Sequence, residues 1–100
     1  MPYINSEDRN VLDKAVSEAV SALNMSGEEL LDKAGPLNYT ITRICTGLLD
    51  KVSYRDIAIL TGVIENVKQE LYRRAAAPYE DQKIYENGDT REYSKFERDN

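Results

Sequence analysis

The stretch YRDIAILTGVIENVKQELYRRAAAP, residues 54–78, carries the longest helical pattern in this 100-residue chain. Each residue of an α-helix turns the chain by about 100°, and at that angle the apolar side chains share one side. They are Ile57, Ile59, Leu60, Val63, Ile64, Val67 and Leu71. The pattern predicts a helix from Tyr54 to about Ala76, with Ser53 as its N-cap. We expect Pro78 to close it, because the residue before a proline avoids helical torsion angles.

The apolar side of this long helix is unusually wide. It covers about 160° of the helix, whereas one packed face needs roughly 100°. So wide an arc contacts neighbours on two sides, and the chain has only two other substantial helices. We therefore expect self-association to supply a neighbour, with Ile59, Val63 and Val67 at the oligomer interface.

A first helix precedes this stretch near the N-terminus. Apolar residues recur at three- and four-residue spacing over 11–23, which predicts a helix from about residue 6 to about residue 24. Asn5 or Ser6 can serve as its N-cap.

Two more helices are predicted between the first and the longest. Ser26 and Glu29 have capping-box spacing, which predicts a short helix over about residues 28–34. The Gly-Pro pair at 35–36 ends it, with the glycine after the last helical residue and the proline as a stop. Asn38 then caps a medium helix, whose apolar stripe runs to about residue 52.

The C-terminal residues differ in composition from the rest. Residues 79–100 contain seven acidic and four basic side chains, and the Asn-Gly pair at 87–88 is a type I′ hairpin signal. The sequence thus predicts an all-α fold, a small bundle of three main helices plus a short helix. We expect a helical domain over residues 1–78 and a polar, partly ordered tail over 79–100 that can form a hairpin.

Composition also limits where the protein acts. No apolar run approaches the roughly 20 residues that span a bilayer, and the N-terminal residues lack a secretory-signal pattern. We therefore expect a cytoplasmic protein without membrane contacts. The net charge is −5, with acids and bases interspersed, and this disfavours general nucleic-acid binding.

The sequence offers little catalytic chemistry. It has no histidine, which excludes Ser-His-Asp and Cys-His systems and histidine-ligated zinc, and its glycines lack phosphate-loop spacing. Glu28, Glu29 and Asp32 could together hold Mg²⁺, vaguely like the acidic motif of all-α nucleotide pyrophosphohydrolases, but no second acidic pair faces them. The alternative is a solvated first helical turn, so we expect no metal, no cofactor and no enzymatic activity.

A candidate ligand site lies in LYRRAAAPYEDQKIYENGD, residues 71–89. The residues we predict for it are Tyr72, Arg73, Arg74 and Tyr79, with Asn38 and Tyr39 approaching on a turn from a neighbouring helix. Arginines donate forked hydrogen bonds to phosphate or carboxylate, and tyrosine rings can border a flat ligand. The ligand would then be a small anionic, nucleotide-like molecule or an acidic peptide.

The same arginines have a second interpretation, a structural clasp at the end of the helix. In it they pair with Glu70, Glu80 and Asp81 and tie the tail to the helix. On the helical wheel Arg74 points into the apolar arc and can reach Glu70 one turn back, whereas Arg73 faces solvent. The sequence leaves both interpretations open.

Three motifs resemble a family of short proteins of unknown function from bacteriophages, prophages and some bacteria. They are Leu-Asn-Tyr-x-Ile-Thr at 37–42, Tyr-Arg-Arg-x-x-x-Pro-Tyr-Glu-Asp at 72–81 and Glu-Asn-Gly-Asp at 86–89. The resemblance implies a small protein that acts by stoichiometric binding in the host cytoplasm.

Three functions compete on this basis. The first is a non-enzymatic phage-type accessory protein that sequesters a small anionic, nucleotide-like host signalling molecule at an oligomer interface. The second is a structural or host-protein-binding module. The third is a Mg²⁺-dependent nucleotide pyrophosphohydrolase.

Overall fold

The computed structural model describes residues 4–97, and the elements in this part of the chain are all helical. In chain order they are α1 (Ser6–Asn24), α2 (Leu30–Leu48), α3 (Tyr54–Leu71), a π-helical segment (Tyr72–Ala76), α4 (Ala77–Asn87) and α5 (Arg91–Glu97). The predicted all-α fold is confirmed. The chain forms two compact units, of which the first ends at Gly62 and the second begins at Val63. The expected domain division after residue 78 stays a prediction.

Helix α1 has the predicted bounds and cap. The Asn5 Oδ1 accepts a hydrogen bond from the backbone N–H of Asp8 at 3.0 Å, and Glu7 and Asp8 place negative charge at the positive end of the helix dipole. At the other end, the hydroxyl of Ser26 donates to the Leu23 carbonyl at 2.6 Å. Ser26 therefore completes α1, and its predicted capping box with Glu29 is wrong.

Helix α2 replaces the two helices predicted over residues 28–52. Its N-cap is Glu29, whose backbone N–H donates to the Asp32 carboxylate at 3.2 Å. Pro36 lies inside the helix, so the predicted stop at 35–36 and the predicted cap at Asn38 are wrong. A proline removes a single backbone hydrogen bond, and the hydrogen-bonded turns on either side continue past it. The hydroxyl of Thr40 donates to the Pro36 carbonyl at 2.8 Å.

Helix α3 begins as predicted, since the Ser53 hydroxyl oxygen accepts from the Asp56 N–H at 3.1 Å. It does not end at Pro78. After Leu71 the chain widens into the π-helical segment, in which the Ala77 N–H donates to the carbonyl of Tyr72 five residues back. Pro78 then lies in the first turn of α4. A proline is tolerated there, because the first N–H groups of a helix need no partner within it.

The predicted hairpin at 87–88 is a turn between two helices. Asn87 ends α4, and Gly88, with φ 87° and ψ 157°, donates its N–H to the Ile84 carbonyl at 2.7 Å. The hydroxyl of Thr90 then accepts from the Tyr93 N–H at 3.3 Å and caps α5. Glycine supplies a positive φ to a hairpin turn and to a helix end alike, so the Asn-Gly pair does not distinguish them.

None of the residues 4–96 is buried. On α3, Ile59, Val63 and Val67 are 50%, 55% and 56% exposed. On α1, Leu12 and Val16 are similarly exposed. The helices are thus formed while their apolar stripes stay in water.

We predict that Gly88→Ala destabilises the turn between α4 and α5 by about 1–3 kcal/mol, because its torsion angles are essentially restricted to glycine. Urea unfolding followed by circular dichroism measures the change. The matched control is Gly62→Ala in α3, where an added Cβ meets nothing within 4 Å. That variant should be unchanged or stabilised by about 0.5–1 kcal/mol. Equal losses in both variants would contradict the role of Gly88.

Candidate functional site

Four of the predicted site residues belong to the second unit. Tyr72, Arg73 and Arg74 lie on the π-helical segment, and Tyr79 lies in the first half of α4. A π turn holds about one residue more than an α turn, and such turns occur often at functional sites. The extra residue rotates everything after Leu71 relative to α3. The α-helical wheel that placed Arg74 in the apolar arc therefore does not apply to this segment.

Arg73, which the helical wheel placed towards solvent, makes an ion pair with Glu70. Its Nε and Nη2 both donate to Oε1 of Glu70, at 2.7 and 2.6 Å. Glu70 is partly buried, and Arg73 is the more exposed partner. Arg74 also has an interaction partner. One contact of the predicted clasp, that of Arg73 with Glu70, is therefore present.

A second contact joins the π-helical segment to α4. The hydroxyl of Tyr72 donates to Oε1 of Glu80 at 2.7 Å. This hydrogen bond, and then the negative charge of Glu80, raises the pKa of Tyr72 above its ordinary value of 10.0. Within the second unit, the bond holds the aromatic ring of Tyr72 beside α4.

Tyr79 contacts a cation of its own helix. The Nζ of Lys83 lies 5.5 Å from the centroid of the Tyr79 ring, which is within the range of a cation–π interaction. The same ammonium lies 3.4 Å from the carboxylate of Glu86. The ring face that was expected to border a flat ligand thus has a cationic neighbour.

Asn38 and Tyr39 belong to the first unit, and they lie inside α2 rather than on a turn. The Thr42 hydroxyl donates to the Asn38 carbonyl at 2.7 Å. The guanidinium of Arg43 lies 5.8 Å from the centroid of the Tyr39 ring. Both residues line a shallow recess with Ala34. Their predicted position on a turn was wrong because α2 continues through Pro36.

A cleft that the sequence did not predict lies within the second unit, between α4 and α5. Its volume is about 760 Å³, inside the range of ligand pockets. It is lined by Tyr72, Glu80, Lys83, Ile84, Asn87, Gly88, Asp89, Thr90, Tyr93 and Phe96. The interpretation of residues 79–100 as a polar tail does not predict this cleft, because it places no pair of helices there. The three-residue spacing of Tyr93 and Phe96 is the signal that a helical interpretation would have used.

The acids considered for Mg²⁺ have a structural role at the start of α2. The Asp32 carboxylate accepts the N–H of Glu29 and so caps the helix. Among residues 4–97, no group of three or more histidine, cysteine, aspartate or glutamate side chains could hold a metal ion. In the same part of the chain, no helix is both long and apolar enough to cross a membrane.

We predict that Glu80→Gln lowers the pKa of Tyr72 towards 10.0, because the charged acceptor that favours the protonated hydroxyl is removed. With a raised folded pKa, the bond's contribution to folding is fully present below pH 10 and is lost as pH rises through that pKa. NMR titration of ring-labelled tyrosine measures the pKa. Glu86→Gln, on the same helix, is the control and should leave it unchanged. An unaltered pKa in Glu80→Gln would contradict the assignment.

The chain was also compared with known proteins. Residues 1–90 match the family described as "Domain of unknown function (DUF6899)". No curated protein and no solved structure matches the chain. The match ends just before α5, so Tyr93 and Phe96 lie beyond it. With nine-tenths of its length matched, the chain belongs to this family of unknown function.

Proposed function

We propose that this chain is a non-enzymatic binding protein that works as a homo-oligomer in the cytoplasm. The observation that supports it is the exposure of the apolar helix faces while no residue from 4 to 96 is buried. Contiguous exposed apolar patches mark interaction surfaces. Most helical stability in proteins comes from packing an amphipathic face, not from helix propensity. These faces therefore need a partner.

A second copy fits the apolar face of α3. Five of its residues alternate at spacings of three and four, which is the a and d pattern of a coiled coil. They are Ile57, Leu60, Ile64, Val67 and Leu71. Isoleucine at the first two a positions with leucine at the first d position favours two strands. Ile59 and Val63 widen this face, and the pattern ends where the π-helical segment begins.

We predict that Ile64→Glu and Val67→Glu dissociate the oligomer, because each would leave a carboxylate unpaired at an a or d position of the apolar interface. Loss of a partner from a buried charge costs about 3–5 kcal/mol, enough to shift the dissociation constant by more than a hundredfold. Light scattering across a concentration series measures the mass. Gln69→Glu, on the polar side of α3, is the control and should leave the oligomer intact. A wild-type chain that is monomeric at tens of micromolar would contradict the proposed homo-oligomer.

A second candidate function is the binding of a small anionic, nucleotide-like molecule at Arg73 and Arg74. The observation that favours it is the π-helical segment, which presents both arginines next to Tyr72. The Arg73 guanidinium already holds the Glu70 carboxylate. An anion that binds Arg73 must therefore compete with Glu70.

This competition gives the second candidate a direct test. We predict that Glu70→Gln tightens pyrophosphate binding about tenfold, because Arg73 loses an anionic competitor. Arg73→Ala should abolish the binding while the chain stays helical. Isothermal titration calorimetry measures the affinity. Absence of binding in every variant, together with lower stability of Arg73→Ala, would leave the arginines only the role of a clasp.

A further inference from the structure

We propose that the cleft between α4 and α5 docks a basic amphipathic segment of a protein partner. The inference rests on the proposed function in one respect, that the chain acts by binding. It concerns the residues that line this cleft, which include Tyr72 of the π-helical segment but neither of its arginines and no residue of α3.

The walls of the cleft are aromatic and apolar. Tyr72 and Ile84 lie on one side, and Tyr93 and Phe96 lie on α5. The last two rings stack edge to face, with centroids 6.2 Å apart, and Phe96 is 61% exposed. Exposed aromatic rings around a recess of this size are typical anchor points for a partner's apolar side chains.

The charge of the cleft favours a basic partner. Glu80 and Asp89 outnumber Lys83 among its lining residues, which leaves one net negative charge. Residues 79–97 as a whole carry six acidic and three basic side chains. The aromatic rings of this region also attract cations, as the Lys95 ammonium 5.6 Å from the Phe96 centroid illustrates. A helix with apolar anchors on one face and lysine or arginine beside them matches both features.

The same charge argues against a second copy as the occupant. Residues 79–97 of a second copy carry the same excess of acidic side chains, so docking that region into the cleft brings like charges together. The α5 wall also lies beyond the family match, which ends at residue 90.

Fluorescence anisotropy with the full chain and two synthetic peptides tests the proposal without any variant. One probe is an amphipathic helical peptide of leucine and lysine, and the other carries glutamate at every lysine position. We expect the lysine peptide to bind at least about tenfold more tightly, and the preference to shrink as salt screens the charges. Equal affinity for both peptides would overturn the proposal.

Variants then place the binding in the cleft. Phe96→Ala and Asp89→Lys should each lower the affinity for the lysine peptide about tenfold. The controls are Tyr85→Ala and Asp81→Lys, which make the matching changes on α4 outside the cleft. Both should bind the lysine peptide with the affinity of the wild-type chain. Circular dichroism checks the helices, and equal losses in the controls would count against the cleft.

Light scattering separates this proposal from the proposed function. If Phe96→Ala dissociates an oligomer that Ile64→Glu leaves intact, the cleft is a contact between copies and the partner proposal is wrong. If the wild-type chain is a monomer that still binds the lysine peptide, the proposed homo-oligomer is contradicted and the proposed docking site in the cleft is supported.

Discussion

Backbone hydrogen bonding within each helix is the interaction on which the described structure depends. The three longest helices, α1, α2 and α3, have 19, 19 and 18 residues, above the roughly 12–15 residues at which an isolated helix becomes marginal in water. Each also exposes its apolar stripe. The helices are therefore present without a core among residues 4–96, and covering those stripes would supply the packing from which most helical stability comes.

The sequence predicted the parts of the fold that local chemistry controls. Asn5 and Ser53 cap α1 and α3 as expected, because a side-chain acceptor next to the first N–H groups is a short-range signal. The stop signals failed. Pro36 costs α2 one backbone bond, which the helix on both sides outweighs. Pro78 costs α4 none, because it lies in the first turn, where the N–H groups have no partner within the helix. Gly88 shows a related limit. The sequence correctly indicates a turn with positive φ at this glycine, but it does not indicate whether strands or helices flank that turn.

The candidate site was predictable in its residues and not in its contacts. Tyr72, Arg73 and Arg74 do share one segment. The helical wheel placed Arg73 towards solvent, yet Arg73 pairs with Glu70. Periodicity assumes a constant angle per residue, and a single inserted residue breaks that assumption. The Arg73–Glu70 pair is exposed enough to contribute only about 0–1 kcal/mol. A competing anion could therefore displace Glu70 at small cost, and the clasp does not exclude a site.

The two surfaces that we assign to partners differ in chemistry. The arc of α3 is aliphatic and carries no charge at its a and d positions, which suits an identical helix, since charge repulsion does not oppose symmetric pairing. The α4–α5 cleft is aromatic and has a net negative lining, so we expect it to favour a basic segment over the acidic α4–α5 region of a second copy. Charge rather than shape thus distinguishes a second copy of the chain from a basic partner. One small chain can therefore carry both surfaces, because each is suited to a different partner.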